Sequence, residues 1–328
     1  MARIAWLDAA KGIGITLVVV YHTLEGVLNS YSNSPIWVEW FASYFSLWLM
    51  PMFFMVSGIL ARHTIEFSAL KQITPKVINW FYIYVLWSFI IYLVRLVLGG
   101  ITNTQISGDE IFKILWNPVP TIWFIYALLL SFILTWVLRR FDGRIVFVCA
   151  IIINICNAYL GGWLSETIFE RLAWIYPFYV MGYFFSGMIY RVVEKHETFK
   201  VSIFMFTFLS LALLINPFQI PIVMLPLMSI LMSILFLQVC VAFSNAKKVG
   251  AMFNGFVYLG SISLFIYLTH FPIPAASRLL LQSFGVNAPL VIVLLAIILS
   301  LITGHWAKKI SITRNGKFFF YIPKRFLN

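Results

Sequence analysis

The chain has 328 residues, 62% of them hydrophobic and only 10% charged, at a mean hydropathy of +0.95. A soluble domain carries roughly a quarter of its residues as charged side chains, so these proportions exclude a water-facing globular domain and predict an all-α, polytopic membrane protein. The net charge of +12 does not indicate nucleic acid, because the basic residues fall in short clusters between apolar runs, such as Arg139, Arg140 and Arg144 or Lys247 and Lys248.

A helix that crosses roughly 30 Å of hydrocarbon takes about 20 mostly apolar residues. The apolar runs predict about ten transmembrane helices, near residues 12–29, 37–61, 77–98, 119–138, 145–161, 172–190, 201–217, 220–243, 255–275 and 288–307. No small-x-small cleavage site follows the first run, which is therefore expected to be an uncleaved first span and not a secretory signal. The seventh and eighth runs are separated only by Asn216 to Pro221, where the prolines favour a tight reversal. With the N-terminus cytoplasmic, 19 of the 23 Lys and Arg residues fall on inner segments, and only Arg95, Lys113, Arg171 and Arg278 lie at or beyond outer ends. That asymmetry places both termini in the cytoplasm; Arg95, near the outer end of the third span, either snorkels outward or holds an anionic acceptor. The longest segment between runs, residues 99–118, is too short for a domain, so residues 1–328 read as a single integral membrane domain without an internal repeat or Gly/Pro-broken helices in matching halves. Cys149, Cys156 and Cys240 lie inside apolar runs without CxxC spacing and read as small buried fillers, neither a disulfide framework nor a metal site.

The first run carries polar residues at helical spacing. Eleven residues separate Lys11 from His22, about three turns and a rise of about 16 Å, so the two share one face. Asp8 precedes Lys11 by three positions and Glu25 follows His22 by three, completing a stripe. Ionisable groups at membrane depth face a bundle interior or a wet cavity. Two readings of His22 stay open on spacing alone: an interhelical hydrogen bond or chemistry. Lys11 by itself is an ordinary snorkelling anchor.

The stretch "LDAAKGIGITLVVVYH" resembles the first helix of the acyltransferase 3 family of bacterial inner-membrane O-acyltransferases, in which a basic residue, usually arginine, stands ten residues before a histidine. Later segments resemble the family in order: "MPMFFMVSGIL" (Met50 to Leu60), "TIWFIYALLL" (Thr121 to Leu130), "FYVMGYFFSG" (Phe178 to Gly187) and "SLFIYLTHFP" (Ser263 to Pro272). Lys11 stands in place of the usual arginine, and "TPKVINWFYIY" offers Lys76 and Asn79 where the family often has paired arginines. Both replacements resemble the fucose 4-O-acetylase-like branch.

The resemblance implies transfer of an acyl group, usually acetyl, from cytoplasmic acetyl-CoA or another acyl-CoA to a sugar hydroxyl of a cell-envelope or exported glycan or glycolipid. The acyl-CoA is a donor substrate and no cofactor is bound. Such a reaction needs a base for the hydroxyl proton, and a histidine suits it. On this reading His22 is the general base and Glu25 fixes its tautomer. Lys11, Arg62 and Lys76 attract the CoA phosphates, although the positive-inside rule alone also accounts for Arg62 and Lys76. His270 matches the family's late histidine and either lines the substrate side or bonds another helix. Ser57 and Gly58 read as a close helix contact, and Trp123 as packing or a sugar platform. The rival function is a proton-coupled transporter or flippase for a small or lipid-linked substrate, which a buried His–Glu pair would also suit.

Overall fold

The computed structural model describes residues 4–28, 36–97, 110–160, 167–215, 220–246, 250–286 and 288–323. Every regular element among them is helical: α1 (Ala5–Leu28), α2 (Ile36–Phe67), α3 (Leu70–Val97), α4 (Trp123–Leu138), α5 (Gly143–Tyr159), α6 (Ile168–Phe184), α7 (Ser186–Val193), α8 (Phe199–Ile215), α9 (Leu225–Ser244), α10 (Gly250–Ser261), α11 (Ser263–Thr269), α12 (Ile273–Ser283) and α13 (Pro289–Ser311). Apolar sequence without water to solvate its backbone must satisfy its own N–H and C=O groups, and a helix does so within one segment. Local chemistry sets several ends. Asp142 caps α5 by accepting from the backbone N–H of Arg144 at 2.8 Å, and Thr167 caps α6 through Glu170.

Five helices are long and apolar enough to cross a membrane: Ala5–Gly26, Ser43–Phe67, Leu70–Leu96, Ile222–Ser244 and Pro289–Ser311. The number rises to seven if each of two bent pairs is one span, and three shorter apolar helices stand at Trp123–Leu138, Gly143–Tyr159 and Phe199–Leu213. The reversal expected around Asn216 to Gln219, the lysines Lys247 and Lys248, and most of segment 99–118 lie outside the described residues.

Three expectations are corrected. The sixth and ninth runs are not continuous helices: the chain breaks between α6 and α7 at Phe185, and α10 and α11 meet at 63° about Ile262. The ninth breaks again after His270, where Pro272, lacking an N–H, cannot extend α11 and instead opens α12. Cys149 and Cys156 are exposed on α5, because that helix buries a different face, with Val146, Ala150 and Asn154, and only Cys240 is buried. Arg95 does not snorkel outward; it is buried, 8% exposed.

The chain forms two compact units, Met1–Phe53 with Gly187–Lys308 and Phe54–Ser186 with Lys309–Asn328. In the first, α1 crosses α10 at two glycines. A Cβ on Gly12 would strike the backbone of Phe256 and Gly260, and one on Gly260 the backbone of Asp8 and Gly12; small residues permit such contacts between membrane helices. Trp48 packs against Phe206 and Phe236, ring centroids 5.5 and 4.9 Å away. The buried Gln238 is satisfied through Ser202, Thr198 and the carbonyl of Val192.

The second unit repeats the device: Gly58 lies on the backbone of Tyr179 and Gly182 on that of Met55, the close contact expected of Gly58. Its C-terminal tail runs beside α3. Tyr82 donates to the carbonyl of Phe318, Trp87 to that of Phe319, and Asn79 accepts from the N–H of Ile322, each at 2.8 Å.

Candidate active site

Helix α1 delivers the polar stripe as two close pairs, Asp8 with Lys11 and His22 with Glu25. Lys11 Nζ lies 2.7 Å from Asp8 Oδ1, the Asp8 side chain being 8% exposed. Three turns on, His22 Nδ1 stands 3.5 Å from Glu25 Oε2. A carboxylate only accepts, so this neighbour favours the neutral tautomer of His22 with the proton on Nδ1 and a lone pair on Nε2. The His22 ring is partly open, 33% exposed, as a base that must meet a substrate requires.

Beside it stands His270, ring centroids 5.5 Å apart. His270 closes α11, its own N–H bonding to the carbonyl of Ile266, and its Nδ1 is 2.7 Å from the carbonyl oxygen of Tyr267. A carbonyl also only accepts, so this ring too is protonated at Nδ1 and presents Nε2 as an acceptor. His270 is 2% exposed, and its Nε2 has no hydrogen-bond partner among the described residues. The hydroxyls of Thr23 on α1 and Ser277 on α12 are likewise buried without partners there. The first unit thus sets two imidazoles side by side, one on α1 and one at the end of α11, an arrangement able to bind polar groups and take a proton.

Of the six candidate residues, the structure brings Lys11, His22, Glu25 and His270 into the first unit, while Arg62 and Lys76 belong to the second. Arg62 is engaged there, its Nε 2.9 Å from Glu66 Oε1 and its Nη1 2.7 Å from Ser186 Oγ. Lys76 lies over the rings of Trp80 and Phe132, 5.3 Å from each centroid. Trp123 packs near Trp174 with the Arg171 guanidinium 4.9 Å over its ring. His305 Nδ1 and the Tyr258 hydroxyl share a hydrogen bond.

Sequence reading missed Thr23, Ser277 and the Tyr267 carbonyl. Thr23 carried a signal, a hydroxyl beside His22 in an apolar run; Ser277 and the carbonyl become visible only once Pro272 breaks the helix.

These features define an all-helical membrane protein with a histidine-centred polar site on its first helix. Residues 4–306 match the acyltransferase 3 family, described as an acyltransferase domain, and the chain belongs to that family. It is similar to nodulation protein NolL of Mesorhizobium japonicum, 28% identical over 186 residues that cover 56% of this chain and 48% of that protein. It is equally similar to NolL of Sinorhizobium fredii, 28% identical over 193 residues with the same coverages. The chain thus spans about half the length of the curated relatives it matches. No solved structure matches it.

Proposed function

We propose that the protein is a membrane O-acyltransferase that moves an acyl group, acetyl in the simplest case, from cytoplasmic acyl-CoA to a sugar hydroxyl of a cell-envelope or exported glycan. The observation that carries this reading is the His22–Glu25 pair beside His270 in a chain of this family. Nε2 of His22 takes the proton of the acceptor hydroxyl as its oxygen attacks the thioester carbonyl. The carbon–sulfur bond breaks, and the imidazolium returns the proton to the leaving thiolate, giving the ester and free CoA. Glu25, accepting from Nδ1, holds the ring and stabilises its cation. No bound cofactor is needed; the acyl-CoA is a substrate.

Lys11 serves the donor. One of its three N–H groups faces Asp8, and the others remain for a CoA phosphate as point-charge contacts. Arg62 and Lys76 are proposed to favour acyl-CoA binding through their positive charge, tested singly by acyl-CoA affinity in Arg62→Ala and Lys76→Ala.

The proposed topology is ten spans with both termini cytoplasmic, in the bacterial inner membrane. Support comes from the first unit. Gly12 meets Gly260 and, ten residues further along each segment, His22 meets His270. The first and ninth runs therefore point the same way, as two odd-numbered spans must. The C-terminal tail beside the first half of α3 agrees with a cytoplasmic tail.

The test uses membranes from cells lacking or carrying the protein, incubated with acetyl-labelled acetyl-CoA. Label in alkali-labile ester on glycan or glycolipid only when the protein is present supports the reading; equal label in both sinks it. A transporter remains the second reading, favoured by the two bent helix pairs, since broken helices form substrate sites in many transporters. Protein-dependent uptake without ester formation is its signature.

A further inference from the structure

The mechanism above leaves one buried group unused. His270 has its tautomer set by the Tyr267 carbonyl, so Nε2 is an acceptor, buried and without a partner among the described residues, beside the ring of the proposed base. A buried polar atom left unsatisfied costs roughly 1–3 kcal/mol, and native structures keep such atoms chiefly where a ligand or an ordered water meets them.

The character of the site indicates what meets it. Both imidazoles are held with the proton on Nδ1, His22 by Glu25 and His270 by a main-chain oxygen. The pair therefore presents two Nε2 lone pairs, with both Nδ1–H groups already engaged. Such a pair suits a ligand that donates hydrogen bonds, and a thioester carbonyl donates none.

We propose that His270 binds the acyl acceptor: Nε2 accepts a hydrogen bond from a sugar hydroxyl adjacent to the one that His22 deprotonates, so that the histidines together grip a vicinal diol. This rests on the acyl-transfer reading and adds the acceptor's subsite to it. His270 takes no proton; it orients the sugar so that the reacting hydroxyl faces His22 Nε2. A main-chain carbonyl suits the task better than a carboxylate, because it fixes the ring without making it a stronger base. Water, a single hydroxyl, does not need the second contact and still reacts through His22 alone.

The experiment compares membranes carrying wild type, His22→Ala, His270→Phe or His270→Gln at matched levels in a strain without its own copy. Acetyl-labelled acetyl-CoA is the probe. Two products are counted: label on the endogenous glycan or glycolipid, and free acetate from attack by water. His270→Phe keeps the ring volume without the lone pair and is expected to lose transfer by about tenfold or more, a larger factor than it loses in acetate release. His270→Gln, which sets an amide oxygen near Nε2, recovers part of the transfer. His22→Ala loses both products. If His270→Phe transfers label at the wild-type rate, or loses both products without recovery in His270→Gln, the acceptor role is overturned while the reading of His22 stands. If His22→Ala retains both products, the acyl-transfer mechanism itself fails, whatever His270 does.

Discussion

Lys11 and Asp8 form an ion pair one turn apart on α1, Nζ to Oδ1 2.7 Å, with the carboxylate largely out of solvent. The lysine at the mouth of the proposed site is thus tied to a buried partner and does not swing freely as a snorkelling anchor would. Removing one member of such a pair weakens the compensation of the other's charge, which is the costly event; removing both is milder.

Lys11→Met is accordingly expected to lose about 3 kcal/mol of stability, seen as a lower midpoint in a thermal unfolding series on detergent-solubilised protein. Asp8→Asn combined with Lys11→Met should recover most of that midpoint yet still bind acyl-CoA more weakly than wild type. Recovery of full affinity in the double variant would remove Lys11 from donor binding.

The glycine crossing makes a sharper structural prediction because α10 contains its own control. Gly12→Val and Gly260→Val drive a side chain into main chain that cannot move aside, and each should cost about 1–3 kcal/mol or more. Gly255→Ala on the same helix meets nothing within 4 Å and should be neutral, or stabilising by up to about 1 kcal/mol from helix propensity. Size-exclusion profiles after graded heating would separate them, and equal behaviour of Gly260→Val and Gly255→Ala would show that the crossing does not hold α1.

How far these features could be read in advance depended on whether the signal was local. His22, Glu25, Lys11 and Asp8 share one helix, so 3.6-residue periodicity alone placed them on a common face, and the contacts formed are i,i+3 pairs. Gly58 was legible because a small residue in an apolar run has few other uses. The helix breaks were not legible. "GYFFSG" and "YLGSIS" are apolar enough to continue a span by composition, so nothing in them marks the bends that follow α6 and α10. The exposure of Cys149 and Cys156 was missed for a related reason: a run apolar all round gives no sign of which face meets lipid. The approach of His270 to His22 joins positions 248 apart, and no periodicity reaches that far.

Glu25 tests the tautomer argument. Glu25→Gln keeps the shape but replaces a charged acceptor with a neutral amide that can present either end. A hydrogen bond to a charged group contributes about 1.5–3 kcal/mol, so the rate should fall by about 10- to 100-fold, with the KM for acyl-CoA unchanged. His22→Ala should fall further, by about 10²- to 10⁴-fold. A wild-type rate in Glu25→Gln would leave His22 oriented by something other than the carboxylate.

The proposed orientation can be checked in whole cells on a background from which all three native cysteines have been replaced. Arg140→Cys, between α4 and α5, should react with a membrane-impermeant maleimide only after the cells are opened. Arg278→Cys, on α12, should react in intact cells. The reverse pattern would invert the topology and move the acyl-CoA side of the site with it.

The most direct test of the account is the glycan-bound O-acetyl content of cells carrying no copy, the wild-type copy or the His22→Ala copy at matched membrane levels. The account predicts that wild type restores alkali-labile acetyl ester and that His22→Ala leaves the glycan at the level of cells with no copy. Full restoration by His22→Ala would contradict it, reducing the histidine to a structural hydrogen bond in the membrane.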